Sequence, residues 1–564
     1  MRSRHAPAYA RAVRSTRSRS RPARAARVVL AVVAAALFGA AVLAVLPSAR
    51  AASDGTYEDS FPSSGSFSGN TGTLSWSGPW IEIGESDGAG SGLVTVAGWT
   101  SGCTSQYCLR IDDQQPGTSL GAQRSADLSG AASAVLTFSY ALEQDNPGGT
   151  SFDLEVSPTD SGPWTTLATY VVSGNVNAPY PQAFDLTPYV GADTTIRVTS
   201  GDDNHSDEFY LDDVRIEAVP AARRNPSLWF SIRDNTTTGP SGITSLADGA
   251  IAVFGPPGVN YQPGQTTGTL STLVDWDALF GAVDINGLHL VMTDLTIGGV
   301  TVEAGDLLFT LRSDATLTGS NGPLAYKLGD VGRFRPSTPG DYTAGAFSIL
   351  LDQPLGVELR GMTLVEKPTA VGEVTLSAGS FLFTRAGGAE HSDVYRYVVS
   401  SAGPGSTSGT VTKLIEGTEI GFADQVWGLD LVEDGMGWPF PRGAIVMTVE
   451  KDVLAGLDGT AVPKRTLMSL VVARTSLSAT ARAVAVIAWD GNDLGLNEDK
   501  ERLDGFTFAD LDFPPAFDQD LGDRTDAEGT SVSISVSATD PLGESITYSA
   551  SGLPVGVTMD TGTG

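Results

Sequence analysis

Carboxylates dominate the chemistry available to this chain: 65 Asp and Glu stand against 35 Lys and Arg, four histidines and two cysteines. Such groups can hold a hard cation, act as a general acid and base, or cap turns, and their spacing decides which. Asp275, Asp352, Glu416 and Asp490 each end an apolar strand and are followed by a glycine, at Gly281, Gly356, Gly421 and Gly495. One acid per copy of a repeat suits a capping role better than one asymmetric acid and base pair, so no catalytic residue is assigned. The densest acidic stretch is Gly201-Asp-Asp-Asn-His-Ser-Asp-Glu208, running into Phe209-Tyr-Leu-Asp-Asp213. Residues 202–208 alone read as a solvated acidic turn. Strand alternation, however, puts Asp212 on the side of Tyr210, Val214 and Ile216, where a carboxylate must be paired, hydrogen-bonded or metal-bound. His205, His289 and His391 lie apart with no cysteine near them, which disfavours a zinc site, and His289 reads as a strand-face residue. No Gly-x-Ser-x-Gly elbow is present, and Gly403-Pro-Gly-Ser-Thr-Ser-Gly409 reads as a hairpin loop.

The elements that carry these groups are strands. Gly, Ser, Thr, Val, Asp and Pro dominate, and long stripes of 3.6-residue period are absent, so the chain reads as all-β. Cys103 and Cys108 are expected to form a local disulfide. Trp99 and Tyr107, beside that loop, are the aromatic pair expected to be exposed and to stack on a ligand.

Between residues 249 and 446 a glycine followed by an apolar run recurs, at Gly249, Gly305, Gly379 and Gly443. A second recurring strand, Gly-x-x-x-apolar, appears at Gly287-Leu-His-Leu-Val291, Gly361-Met-Thr-Leu-Val365, Gly428-Leu-Asp-Leu-Val432 and Gly505-Phe-Thr-Phe-Ala509. One supersecondary unit of about four strands has been copied. Two arrangements fit: a four-bladed propeller, or an open array of small sheets. Leu228-Trp-Phe-Ser-Ile232 takes the place of the Gly-x-x-x strand in copy one, leaving the strand at Gly505 free to close a ring against that shorter copy.

Residues 52–217 resemble the MAM-like jelly-roll modules of bacterial extracellular proteins. The likeness rests on Glu58-Asp-Ser-Phe61, Arg124-Ser-Ala-Asp-Leu-Ser129, Ser157 to Leu167 with Trp164, Phe184-Asp-Leu-Thr187 and Phe209-Tyr-Leu-Asp-Asp-Val-Arg-Ile216. It implies a β-sandwich whose first and last strands meet, where a structural Ca²⁺ would be held by Glu58, Asp59, Asp212 and Asp213. Residues 218–226 read as a linker and 227–511 as the four-repeat, propeller-like β domain, similar to repeat domains of large bacterial surface proteins. Pro514-Pro-Ala-Phe517, Val532 to Thr539 and Gly552 to Met559 make 512–564 resemble the start of a truncated cadherin-like, immunoglobulin-type module.

Residues 1–51 have the form of a signal peptide: an arginine-rich, acid-free start, the apolar run Val28 to Leu46, and small residues Ala49 and Ala51 at the expected cleavage point. A retained membrane anchor is the competing reading. After cleavage 25 basic residues face 65 acidic ones, a net charge of −40 that repels nucleic acid and anionic membranes. These features predict a secreted or cell-surface, non-enzymatic protein that binds an extracellular glycan or surface protein, without membrane insertion. The competing function is an extracellular hydrolase with its active site in the repeat-domain channel and the jelly roll as a targeting module.

Overall fold

The computed structural model describes residues 55–509 apart from 100–101, 116, 146–148, 202–205, 221–225, 237–242, 244, 389 and 497–500. Beyond them it describes 10–14 and parts of 516–550. The expected cleavage point, His205, and most of the cadherin-like segment lie outside the described residues. Two compact units divide the chain. In the one formed by Met1–Ala49 and Asp512–Gly564, Ala10–Arg14 pairs with Ile546–Ala550 and Ala516–Phe517 with Ala538–Thr539.

The other unit, Arg50–Leu511, is almost entirely β and opens with a two-sheet sandwich. One sheet orders Val176–Asp185, Ala131–Glu143, Glu208–Pro220, Cys108–Asp112 and Val94–Ala97, with Gly55–Asp59 also on Glu208–Pro220. The facing sheet orders Ile81–Ile83, Gly121–Ala126, Thr194–Ser200, Ser151–Ser157 and Thr165–Val171. Alternation builds the core between them: in Ser151–Ser157, Phe152, Leu154 and Val156 point inward while Asp153 and Glu155 do not. The last strand runs through Pro220, into the stretch expected as linker, because Ala218 pairs with both Gly55 and Ala134 and is buried.

Four four-stranded antiparallel sheets follow. Their inner strands are Ile285–Leu290, Leu359–Leu364, Val426–Leu431 and Leu503–Ala509, and these pack on one another in a closed cycle rather than an open row. The recurrent glycine makes the cycle possible. A methyl group at Gly505 would lie 2.8 Å from the Leu288 nitrogen, at Gly361 2.6 Å from the Leu429 Cβ, at Gly428 2.5 Å from the Phe506 ring, and at Gly287 2.9 Å from the Arg360 carbonyl. Each glycine thus admits the neighbouring inner strand closer than any side chain would allow. Its amide is met by a hydroxyl on the second strand: Gly361 donates to Thr384, Gly428 to Thr448 and Gly505 to Ser231.

The strand at Gly505 does close the ring, pairing with Ser227–Ile232, which continues to Ala250–Asn260 and Thr267–Asp275. This corrects the alignment of copy one. Ser227–Ile232 holds the second-strand place, with Ser231 doing what Thr384 and Thr448 do, and the run after Gly249 is a third strand. Short ribbons such as Leu295–Ile297 with Val300–Val302 lengthen the repeats unevenly.

The strand-end acids sit at turns. Asp275 accepts from the Ala278 amide, Asp490 from Asn492 and Asp352 from Gly405, while Glu416 precedes the short helix Gly417–Ile420.

Candidate functional site

The strand pairing brings Asp59 opposite Val214 and Glu58 opposite Arg215, so the first and last strands of the sandwich meet as the sequence implies. The four carboxylates are nevertheless not gathered into one donor set. Asp59 shares its face with the buried Tyr57 and is 0% exposed; it pairs with Arg124 at 2.5 Å and accepts from the Phe61 amide and Trp80 Nε1. The Arg124 guanidinium is the positive charge that faces it. Asp212 is buried as alternation required, and the amides of Thr104 and Ser105 satisfy it at 2.9 and 3.0 Å. Burial, and then the charge of Asp213, push its carboxyl up to about 6. Asp213 sits at a bulge with φ of 51° and accepts from the Thr104 hydroxyl. Among the described residues three carboxylates come together elsewhere, at Glu82, Glu85 and Asp87. There the amides of Gly88, Leu93 and Val94 already donate to Glu82 and Glu85.

Cys103 and Cys108 form the expected disulfide. Trp99 and Tyr107 do not form an exposed pair beside it. Trp99 is half-buried between Tyr210, 6.0 Å away, and the Arg110 guanidinium at 4.4 Å, while Tyr107 packs against the sandwich core.

His289, expected as a strand-face residue, converges on the ring axis with residues that the sequence did not single out. Position two after each inner glycine is His289, Thr363, Asp430 or Thr507. His289 Nδ1 lies 3.1 Å from the Thr363 hydroxyl, which donates to Asp430 at 2.7 Å; His289 Nε2 lies 3.2 Å from Glu366. Glu366 also accepts the Met292 and Thr293 amides, and Asp430 that of Phe508. Variation at a repeated position, His then Thr then Asp then Thr, was the available signal. His289 is only 6% exposed and Asp430 4%.

This cluster makes stability depend on pH. Burial alone would lower the His289 imidazole, but its bond to Glu366 and the charges of Glu366, Asp430 and Glu433 hold it above its ordinary value. Burial pushes Glu433 up to about 7. Both groups bind protons more tightly folded than unfolded, so the stability they contribute is lost as pH rises through their folded values. Glu366 is held low, because its hydrogen bonds to His289 and Thr293 outweigh burial, so its contribution is constant above its ordinary range. The urea midpoint is expected to fall between pH 6 and pH 8, and His289→Gln to flatten that fall. A midpoint that rises over the interval contradicts the assignment.

Sandwich and ring meet at a fastened junction. The Ser133 hydroxyl accepts from the Trp438 amide at 3.0 Å and Glu217 from the Arg442 amide at 2.9 Å. Beside it opens a cleft of about 570 Å³. Glu58, Thr104, Ser105, Gln182 and Asp213 line it from the sandwich, and Glu373, Arg442, Arg474 and Ser478 from the ring. Glu58 and Asp213, expected to hold a cation, and Cys103 of the disulfide are among the residues that line this cleft.

Fold and cleft define a class: an all-β protein in which a two-sheet sandwich is clamped to a closed ring of four sheets, with a polar cleft at the clamp. No protein-family profile and no curated protein matches the chain. Among solved structures it is similar to the K1 cleaved adhesin domain of Lys-gingipain from Porphyromonas gingivalis W83, at 18% identity and TM-score 0.21, covering 29% of this chain and 98% of that one. It is also similar to a family 61 carbohydrate-binding module in complex with β-1,4-galactotriose (16% identity, TM-score 0.20, 25% and 88% covered). A family 22 xylan-binding domain gives 17% identity, TM-score 0.19, with 29% and 97% covered. Likeness at this level carries no functional argument. No helix among the described residues is long and apolar enough to cross a membrane.

Proposed function

We propose that the chain is an exported, non-enzymatic binding protein, in which a four-bladed, propeller-like ring displays the sandwich and the cleft between them takes a segment of extracellular glycan. The observation that supports this is the cleft lining. It mixes carboxylates (Glu58, Asp213, Glu373), guanidinium groups (Arg215, Arg442, Arg474) and hydroxyls (Thr104, Ser105, Ser478) over a volume that holds a few sugar units. Hydroxyl groups both donate and accept, so a saccharide can engage every member of such a lining.

Affinity electrophoresis of the full chain against soluble polysaccharides tests the reading. Arg442→Ala, at the cleft rim, is expected to weaken binding about tenfold, near 1.4 kcal/mol. Unchanged retardation of that variant, or no retardation of the parent on any polysaccharide, rejects it.

One observation favours hydrolysis as a second reading: the ring axis carries unlike residues at equivalent repeat positions, acids among them. Against it, His289, Glu366 and Asp430 are buried and bonded to one another, with no exposed acid pair among them.

A further inference from the structure

The ring wall of the cleft carries a cation that the fold does not use. Arg474 ends the strand Thr466–Arg474, whose ladder to Arg482–Asp490 breaks register between Val472 and Arg474. Such a bulge re-aims a side chain. Past the break, Arg474 stands directly opposite Arg482. Like charges so placed repel, and neither gains stability from the other. Arg474 is half-buried and lines the cleft. Its Nε donates to the Thr480 carbonyl at 3.0 Å, which anchors the guanidinium; among the described residues Nη1 and Nη2 have no partner. Acids outnumber bases 65 to 35 in this chain, so a shortage of carboxylates does not explain an arginine without one.

The other charges of the cleft are matched within the protein or stand on the opposite wall. Arg215 pairs with Glu217 at 3.2 Å and Arg442 with Asp434 at 3.3 Å. Glu373, on the ring wall, accepts the Thr475 amide at 2.9 Å and the hydroxyls of Thr475 and Ser478 at 2.8 and 2.5 Å. Those three donors, not Arg474, satisfy it. Asp213 accepts the Thr104 hydroxyl at 2.6 Å and, like Glu58, belongs to the sandwich wall. One guanidinium fork is left on the lining of the cleft without a carboxylate.

We propose that the glycan taken by the cleft is acidic, with a uronate carboxylate held in the fork of Arg474 and the sugar hydroxyls turned toward Glu58 and Asp213. This rests on the reading of the cleft as a glycan site and adds the class of sugar. Guanidinium and carboxylate are both planar, and two parallel N–H to O bonds between them are stronger and more directional than those to a hydroxyl. A carboxylate also brings the negative charge that the Arg474 and Arg482 pair lacks; a hydroxyl does not. The walls set the orientation, since a uronate entering the other way round would turn its carboxylate toward Glu58 and Asp213. The net negative charge of the chain does not oppose this at contact, because physiological salt screens it beyond ~8 Å.

The test is isothermal titration of the full chain with trigalacturonate, trimannuronate and triglucuronate, each beside its methyl ester, and with triglutamate as an acidic peptide. The ester keeps the sugar and removes the charge. At least one acid is expected to bind about tenfold more tightly than its ester, and Arg474→Gln to abolish that preference. Arg474→Gln relieves the repulsion from Arg482, so it is expected to melt at or above the parent's temperature. If it does not fold, Arg474→Lys, which keeps the charge and loses the fork, carries the test and is expected to reduce the preference. Equal binding of acid and ester, or binding of neutral polysaccharides alone in the affinity gels, overturns the inference and leaves the cleft reading to Arg442→Ala. A preference that survives in Arg474→Gln, or triglutamate bound as tightly as the uronates, also overturns it. No binding of any saccharide, charged or neutral, rejects both readings.

Discussion

Gly505→Ala is expected to destabilise the ring by about 3 kcal/mol, seen as a lower urea midpoint for the ring's unfolding. The added methyl would stand 2.8 Å from the Leu288 nitrogen, 2.9 Å from the Gly287 carbonyl carbon and 3.0 Å from the Asn286 oxygen. All three are backbone atoms of the adjacent inner strand, so no rotamer change relieves the clash. Reduced freedom of the unfolded chain returns only about 0.4–1 kcal/mol. The damage falls where the ring is sewn shut, since the same strand pairs with Ser227–Ile232 and its Gly505 amide donates to the Ser231 hydroxyl. Gly78→Ala, where a methyl meets nothing within 4 Å, is the control and should change stability by less than about 0.5 kcal/mol. A Gly505→Ala midpoint as high as the control's would mean that the inner strands do not pack as described.

Arg124→Met is expected to cost about 3–5 kcal/mol in the sandwich. Arg124 is 3% exposed; its Nη1 meets Asp59, its Nε the Gly78 carbonyl and its Nη2 the Gly69 carbonyl, with the guanidinium 4.6 Å from the Trp76 ring. Removing it strands a carboxylate that only Phe61 N–H and Trp80 Nε1–H then support. Burial raises Asp59 and lowers Arg124, and for each it is the largest influence, so the pair stabilises by mutual need more than by net attraction. The double variant Asp59→Asn with Arg124→Met is therefore expected to recover much of the loss. Thermal melting of both variants decides it; equal losses for single and double would remove the ion pair from the account.

These cases also mark how far the residues announce the fold. The Gly-x-x-x strand was readable because a backbone contact that tolerates no side chain forces the same residue into every copy, and its occurrence at Gly505 is the one that pairs with Ser227–Ile232. Copy one was misaligned because Ser231 replaces threonine there and Gly249 imitates the motif from a third strand. Asp59 could have been read as buried from its alternation with Tyr57 and Phe61. That its partner is Arg124 could not, because the two are 65 residues apart and only the folded sandwich joins them. The aromatic pair failed for a similar reason: nearness in sequence does not say which face of a loop a ring takes. The cleft depends on residues of the sandwich and of the ring meeting, which spacing along the chain does not encode.

The central claim is that this β framework binds extracellular polysaccharide without cleaving it. Incubating the full chain with polysaccharides that retard it in affinity electrophoresis, and assaying new reducing ends, tests this most directly. Retardation with no reducing ends above the buffer control is the predicted result. Reducing ends that accumulate with time above the buffer control would contradict it.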